Sequence, residues 1–388
     1  MNILFVEIHN NNPFDIKWGS IQRSNLLIQA CAQCGHVDVI LFNNDEKLVS
    51  NIKNCDIIQC NTINKTKQHK LIKIWRKIYC LFGNGPLFFE TKNKDIEYTL
   101  DNIIKKNNYD KIVIRYVPDA VLCGLIKYTN RLILDVDDSP ISISRNRINR
   151  SKTIIHKWYN TIIHKRTKRN LFLLLNKVGH SFFSNPDEII GNKSSYLPNV
   201  PFYQIKTTPC NFQTTGNDIL FVGFISFGAN LKGLNRFFNS VYPLIIEKIP
   251  DVKIKIVGKC NFKNLPNWKL YPNVQVKGFV ENLAQEYENS RVVIAPIYEG
   301  AGTNIKVLEA MQMSRPCVTT PEGIRGFKDV FTPNKDYLVS TSDQEFADNV
   351  INMLTKEKYN HFITQNAYQK LINNYSKQTF FKKFKVCL

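Results

Sequence analysis

The chain has 388 residues, of which 43% are hydrophobic and 22% are charged, and its formal net charge is +20. The length allows two domains of ordinary size, and the composition is that of a globular protein. No apolar run approaches the ~18–20 residues that a membrane-spanning helix needs, which excludes a helical membrane protein. The positive charge indicates a polyanionic partner, such as nucleic acid, an acidic membrane or an anionic ligand.

The amino terminus has no basic region before its apolar run, so we predict a first strand there and not a signal peptide. The ten cysteines form no framework: Cys31 and Cys34 make one CxxC pair, but no second pair follows at zinc spacing. We therefore expect free thiols in a reducing cytosol.

Short apolar runs alternate with helical stretches along the first half of the chain. Residues 21–33 fit a helix, and strands are predicted at 3–6, 37–41, 55–58, 111–114 and 131–134. This alternation predicts a parallel sheet, and residues 1–205 are predicted as a first α/β domain. The first turn lacks GxGxxG, which argues against a dinucleotide site there.

The run Asp135-Val136-Asp137-Asp138 ends the last of these strands. Paired carboxylates can hold Mg²⁺, and the same side chains can instead cap the turn that follows a strand. The residues alone leave both interpretations open.

A polar stretch containing Pro, Gly and Thr predicts a linker at residues 206–216. A second α/β domain is predicted over residues 217–360, with strands at 219–222, 252–258, 274–280, 292–295 and 317–319. The segment 361–388 is predicted to be helical.

The most informative stretch is residues 291–326, which predicts a strand, a glycine-rich turn, a helix, a second strand and a second turn. Gly300 and Gly302 bracket the first turn, where a missing Cβ lets backbone amides approach a ligand. Thr303 is predicted as the helix N-cap.

Lys306 would then lie in the first helical turn, beside the positive end of the helix dipole. That position is unfavourable unless an anion such as a phosphate binds there. Glu309 follows on the same helix face. An intrahelical Lys–Glu pair is one interpretation; a ligand with a diphosphate for Lys306 and sugar hydroxyls for Glu309 is the other, and it accounts for the adjacent glycines as well.

The segment EGAGTNIKVLEAMQMSRPCVTT resembles the signature of retaining family 4 glycosyltransferases of the GT-B fold, the glycosyl transferases group 1 type. Those enzymes carry a Glu, seven residues, and a second Glu in a Leu-Glu-Ala-Met run, where Glu309 stands here. The first Glu is replaced by Ala301. A branch of the family has Gly-x-Gly-Thr-x-x-Lys instead, and the matching residues are Gly300, Gly302, Thr303 and Lys306.

The resemblance implies an α/β chain with two Rossmann-like domains whose parallel sheets face each other across a cleft. It implies that residues 361–388 return to the first domain. Leu197-Pro198-Asn199-Val200 resembles the Pro-Asn-Gly-Val segment that closes the first GT-B domain. The family's Gly-x-x-x-Arg opening has its counterpart in an acceptor-side or cleft loop made by Gly19, Ser20 and Arg23.

The same resemblance assigns roles in donor binding. Lys306 and the amides of residues 302–304 would neutralise the departing diphosphate, Glu309 would hold the ribose, and the backbone of residues 278–280 would face the base. Phe224 stands where the family has a phosphate-binding Arg, and Lys232 is the nearest basic residue. The expected donor-binding residues are Gly223, Lys232, Gly278, Phe279, Val280, Gly300, Gly302, Thr303, Asn304, Lys306 and Glu309.

No side chain is predicted as a nucleophile, and the catalytic residue is left unassigned. The resemblance implies that no metal is used, so the nucleotide-diphosphate sugar is the expected co-substrate and no cofactor is expected.

Two basic segments carry much of the excess charge. In residues 71–82 the apolar side chains, Trp75 among them, fall on one helical face opposite lysines. Residues 144–170 contain nine basic residues, including the cluster Lys165, Arg166, Lys168 and Arg169, and no acidic one. Such helices are typical of membrane-surface elements, although core packing of the apolar faces is an alternative interpretation.

We therefore predict a cytoplasmic glycosyltransferase, peripheral on the inner face of the cytoplasmic membrane, that acts on a glycan or lipid-linked acceptor in polysaccharide or glycolipid biosynthesis. One alternative is a non-catalytic GT-B scaffold that binds a nucleotide or glycan, which Ala301 and Phe224 would favour. The other is a basic nucleic-acid-binding protein; no recognised module favours it, and nucleic acid is not an expected partner.

Overall fold

The computed structural model describes residues 1–8, 12–16, 19–42, 48–60, 92–201, 218–300 and 302–388. These residues form two compact units. Unit 1 comprises Met1–Pro198 together with Phe380–Leu388, and unit 2 comprises Asn199–Thr379. The basic segment 71–82 and Ala301 lie outside the described residues.

In its described residues, unit 1 is built on a seven-stranded parallel sheet with the strand order β3-β2-β1-β4-β5-β6-β7. The strands are β1 Asn2–Glu7, β2 His36–Phe42, β3 Cys55–Cys60, β4 Lys111–Arg115, β5 Leu132–Asp137, β6 His180–Phe183 and β7 Ser194–Tyr196. Strands covered on both faces have near-continuous apolar runs. In β1, for example, all of residues 3–6 are buried. The strands predicted in this half are confirmed, while β6 and β7 were not predicted.

The described helices of unit 1 connect these strands. They are α1 Gly19–Cys34, α2 Lys94–Asn107, α3 Val117–Leu122, α4 Pro140–Asn149 and α5 Ile154–Leu175. Side-chain oxygens cap several of them: Asn93 accepts from the amides of residues 95 and 96, and Ser139 accepts from the amide of residue 141. These bonds satisfy amides that have no partner within the helix.

In its described residues, unit 2 has a six-stranded parallel sheet in the order β10-β9-β8-β11-β12-β13. The strands are β8 Asp218–Val222, β9 Lys253–Val257, β10 Val274–Gly278, β11 Val292–Ala295, β12 Cys317–Thr319 and β13 Leu338–Val339. The predicted strands of this half are confirmed, and the two-residue β13 was missed. Because the strands are parallel, the loops that follow them emerge at one edge of the sheet, the edge where ligands bind in open α/β sheets.

The described helices of unit 2 cover both faces of this sheet, and each face carries its own apolar core. They are α6 Gly228–Arg236, α7 Tyr242–Lys248, α8 Leu283–Glu288, α9 Ile305–Gln312, α10 Asp343–Thr355 and α11 Glu357–Asn374, with a π-helical turn at Phe237–Val241. The last helix, α12 Lys377–Lys385, carries the chain from unit 2 into unit 1. Within unit 1 the ring of Phe384 stacks on Phe182 of β6, with centroids 5.2 Å apart.

Candidate functional site

Three glycines lie where β8, β9 and β10 end, and they form an open floor beside Lys306. Gly223, Gly258 and Gly278 have φ of +154°, +138° and +71°, a region that favours glycine. The amide of Gly258 donates to the carbonyl of Gly278 at 2.7 Å, and a Cβ added to Gly258 would come within 1.8 Å of the Gly223 carbonyl oxygen. A Cβ at Gly223 would lie 2.8 Å from Lys306 Nζ. The packing therefore requires glycine at 258, and the positive φ angles favour glycine at all three positions.

Lys306 is a buried cation on that floor. Its side chain is 9% exposed, Nζ donates to Asn230 Oδ1 at 2.8 Å, and Nζ lies 4.4 Å from the centroid of the Phe221 ring. Burial lowers the pKa of Lys306 to about 8, against the opposing influence of Glu309 and Cys317. No carboxylate among the described residues forms an ion pair with it. A buried ammonium in this state favours an anionic ligand.

Glu309 lies one turn further along α9 and is held by a buried tyrosine. The residue is 8% exposed, and its Oε2 accepts from Tyr287 Oη of α8 at 2.9 Å. Burial raises the pKa of Glu309, whereas the Tyr287 bond and Lys306 lower it. Burial also raises the pKa of Tyr287 well above its usual range, so the phenol stays a donor. Within the described residues Oε1 has no partner, which leaves one oxygen for a ligand hydroxyl.

The glycine-rich turn is fixed by an arginine that the sequence analysis did not identify. Arg325 Nη1 donates to the carbonyl of Gly300 at 3.0 Å, and its Nη2 and Nε donate to that of Gly302 at 3.1 and 3.3 Å. The carbonyl and N–H of a trans peptide point in opposite directions. The Thr303 N–H, which shares a peptide plane with the Gly302 carbonyl, therefore points away from the guanidinium.

The prediction that Thr303 caps the helix is wrong by one residue. The N-cap of α9 is Asn304, and its side chain makes no capping bond. It donates instead to the carbonyls of Glu322 and Gly323 at 3.4 and 3.2 Å, and the Thr303 hydroxyl accepts from Asn199 Nδ2 at 2.7 Å. Lys306 still falls in the first turn, which holds no acidic residue.

Of the other expected donor residues of unit 2, Phe279 and Val280 lie on the loop after β10, whereas Lys232 lies in α6. Lys232 Nζ pairs with Glu299 Oε1 at 2.9 Å. Phe224 and Phe279 are exposed, while Val280 packs against the core on the α9 face of the sheet. The carbonyl of Phe224 accepts from Asn230 Nδ2 at 2.8 Å, so Asn230 links this loop to Lys306.

In unit 1, the residues expected in an acceptor-side loop are part of a buried ion network. Arg23 of α1 donates to both oxygens of Asp135, at 2.6 and 2.8 Å, while Gly19 begins that helix. Arg115 donates to Asp137 at 2.6 Å, to Asp135 at 3.2 Å and to the Ser20 carbonyl at 2.6 Å. The guanidinium groups of Arg23 and Arg115 thus pair with Asp135 and Asp137, which were considered above as metal ligands.

A different group could hold a metal ion by its geometry. His36, Asp38 and Asp56 each offer a ligand atom within 4.8 Å of the others, among the residues that the structure describes. They lie near the amino-terminal ends of β2 and β3, away from the ligand-binding edge of an α/β sheet. His36 Nε2 is 3.1 Å from Asp38 Oδ1, the distance of an ordinary surface His–Asp pair.

This chain is similar to a family model, to a curated protein and to solved structures. Residues 216–356 match the family model described as Glycosyl transferases group 1. A Klebsiella pneumoniae protein described as "Uncharacterized 44.6 kDa protein in cps region" is 26% identical over 320 residues, covering 77% of this chain and 78% of that protein.

Solved structures are similar in fold to this chain over its whole length. Sucrose-phosphate synthase from Thermosynechococcus elongatus has a TM-score of 0.73 at 13% identity, covering 99% of this chain and 97% of that one. Anabaena HepE in complex with UDP has a TM-score of 0.64 at 13% identity, covering 100% and 99%. At such identities the likeness concerns the fold, and it confirms the predicted GT-B architecture of two parallel-sheet domains.

No described helix is both long enough and apolar enough to cross a bilayer.

Proposed function

We propose that this chain, which has the GT-B fold and whose residues 216–356 match the Glycosyl transferases group 1 model, moves a sugar from a nucleoside-diphosphate sugar to a glycan or lipid-linked acceptor, with retention. The observation that carries the proposal is Lys306, a buried ammonium without an ion-pair partner among the described residues, on a floor of glycines. A diphosphate would supply the negative charge that pairs with this ammonium, and the neighbouring glycines would let the diphosphate approach closely.

The main electrostatic task in such a transfer is to stabilise the leaving diphosphate. Lys306 and the uncapped amides at the start of α9 present fixed positive charge for it, and α9 carries no acid in its first turn. Because these groups are held in place before the reaction, they cost little reorganisation when charge develops. Asn230 and Arg325 keep the ammonium and the glycine-rich turn in position.

Glu309 is proposed to bind the ribose of the donor. Tyr287 engages Oε2, so Oε1 is the oxygen that would accept from a ribose hydroxyl. Backbone groups of residues 278–280 would contact the base, at the end of β10. With Lys306 and the α9 amides on the diphosphate, no metal ion is required in this scheme.

The relatives support a role in polysaccharide or glycolipid synthesis. The Klebsiella protein is described as lying in a cps region, and the Anabaena structure contains UDP. UDP is accordingly the first nucleotide to test. We further propose that the chain works in the cytoplasm, at the inner face of the membrane, where lipid-linked acceptors reside.

The decisive experiment is a thermal-shift panel of nucleoside diphosphates and their sugars, followed by a donor-turnover assay with the ligands that bind. A ligand at about a hundred times its Kd adds ~2.7 kcal/mol of stability. We expect stabilisation by one nucleoside diphosphate and its sugar, and slow release of sugar from that donor. Binding without any turnover would favour the non-catalytic scaffold, and no binding by the whole panel would contradict the proposal.

A further inference from the structure

The long helix α5 of unit 1 buries only one narrow stripe. Its buried residues are Ile163, Thr167, Leu171 and Leu175, spaced four apart along one side of the helix. The first two turns contribute nothing to this stripe. Most of the apolar residues of the helix are therefore outside this stripe.

The side opposite the stripe is apolar. At 100° per residue, positions 154, 155, 158, 172 and 173 all fall on this outer side. Ile154, Ile155 and Trp158 are 87%, 76% and 58% exposed, and Phe172 and Leu173 are exposed as well. A surface helix of a globular protein shows the reverse arrangement, with its polar residues turned outward.

The exposed end of α5 is a well-formed helix start. The Thr153 hydroxyl accepts from the His156 amide at 3.2 Å, which caps the helix. Asn160 Nδ2 donates to Ser151 Oγ at 2.9 Å, tying the helix to the turn before it. The apolar side chains are thus presented by a fixed backbone.

Positive charge surrounds these apolar side chains. Lys165 and Arg169 fall on the same outer side, and residues 144–170 hold nine basic residues and no acidic one. The pKa of His164 is lowered by burial and by the charges of Arg145 and Lys168. Apolar residues and cations on one face match a surface that is itself apolar and anionic.

We propose that the outer face of α5 docks on the surface of an anionic lipid bilayer. Trp158 suits the interface because its ring is apolar at one end and polar at the other. The isoleucines would reach the acyl boundary while Lys165 and Arg169 pair with acidic headgroups. Two other occupants of this face are less favourable. A second copy of the chain would bring two basic surfaces without acidic residues together, and their charges would repel each other. Nucleic acid would pair with the basic residues but leave the isoleucines in water.

Both parts of the face should contribute measurably. A basic residue near an anionic leaflet is worth about fivefold in partition, so the Lys165–Arg169 pair corresponds to roughly thirtyfold. Ile154, Ile155 and Trp158 should contribute at least as much to binding as the two cations. Charge attraction is screened within ~8 Å at physiological ionic strength, so the apolar contacts have to hold the helix at the bilayer.

The test is flotation of the full chain with vesicles of phosphatidylglycerol and phosphatidylcholine, and with pure phosphatidylcholine, in the absence of donor and acceptor. Three variants are compared: Ile154→Gln/Ile155→Gln/Trp158→Gln, Lys165→Gln/Arg169→Gln, and the control Lys105→Gln/Lys106→Gln. The control removes the same charge from exposed positions of α2 in the same unit. We expect the parent and control to float with the anionic vesicles, and both other variants to lose at least tenfold in binding.

A second readout does not depend on how well a multiple variant folds. Trp158 fluorescence should be quenched by lipids brominated in the acyl chain, and the quenching should disappear in Trp158→Phe. Equal binding to neutral and anionic vesicles, unchanged binding of the apolar variant, or an oligomer that only the apolar variant disrupts would each overturn the proposal. Because no donor is present, these outcomes are independent of whether the chain transfers a sugar.

Discussion

Replacing Lys306 with methionine should change how stability depends on pH. Burial lowers the pKa of Lys306 to about 8, whereas its ordinary value is 10.5. Between these two values the unfolded chain binds a proton that the folded chain has released, so the contribution of Lys306 to the stability of the wild type should rise with pH across this window. At 1.36 kcal/mol per pKa unit, the rise amounts to about 3 kcal/mol.

The proton on Lys306 should also affect how tightly a diphosphate binds. A bound diphosphate keeps Lys306 charged, so binding above pH 8 requires the uptake of a proton. The affinity of the wild type for UDP should therefore fall by up to about tenfold per pH unit above this value. In Lys306→Met the affinity should be lower at pH 7 and nearly independent of pH.

The assay is urea denaturation at pH 7, 8, 9 and 10, with calorimetric titration of UDP at each pH. Lys358→Met serves as the control, because it removes an exposed lysine from the same unit. From pH 8 to pH 10 the wild type and the control should gain stability relative to Lys306→Met. Parallel stability profiles for all three proteins, or a UDP affinity that does not change with pH in the wild type, would refute the reasoning.

Three further predictions follow from the site. Glu309→Ala should weaken nucleotide binding at least about tenfold without unfolding the protein, since a charged hydrogen bond to a ribose hydroxyl is worth roughly 1.5–3 kcal/mol; unchanged affinity for every nucleotide would remove Glu309 from the site. Arg325→Gln should raise the KM for the donor about tenfold or more, because it releases the carbonyls of the glycine-rich turn, while the exposed Arg236→Gln should leave the KM unchanged. Transfer activity should survive EDTA, because Lys306 and the α9 amides take the place of a metal ion; strict dependence on Mg²⁺ or Mn²⁺ would contradict this.

The long strands were predictable because their signals are local, and the proposed site also rests on local signals. Apolar runs bounded by turn residues predicted the long strands, whereas β6, with His180 and Ser181 in a four-residue strand, is too short and polar to stand out. Lys306 and Glu309 could be proposed from the sequence because glycines and a helix lie within ten residues of them. Thr303 and Asn304 are both good N-caps, so their order could not be decided from propensity.

The supporting residues could not be predicted, because each comes from a distant part of the chain. Tyr287 meets Glu309 across 22 residues, and Asn230 meets Lys306 across 76. Asp135 likewise pairs with Arg23, 112 residues earlier, a partner that neither interpretation of the run at 135–138 named. For α5, spacing alone could not distinguish a core face from an exposed one.

The path of α12 has a consequence for how the protein is made. Residues 199–379 are synthesised after most of unit 1, and only then does Phe380–Leu388 become available to complete it. Until that moment Phe182 lacks the ring of Phe384 that stacks on it. The first unit to leave the ribosome is therefore the last to be finished, and during that interval it exposes apolar surface to aggregation and to chaperones. A nonsense mutation after residue 379 would leave unit 2 complete and remove the last segment of unit 1.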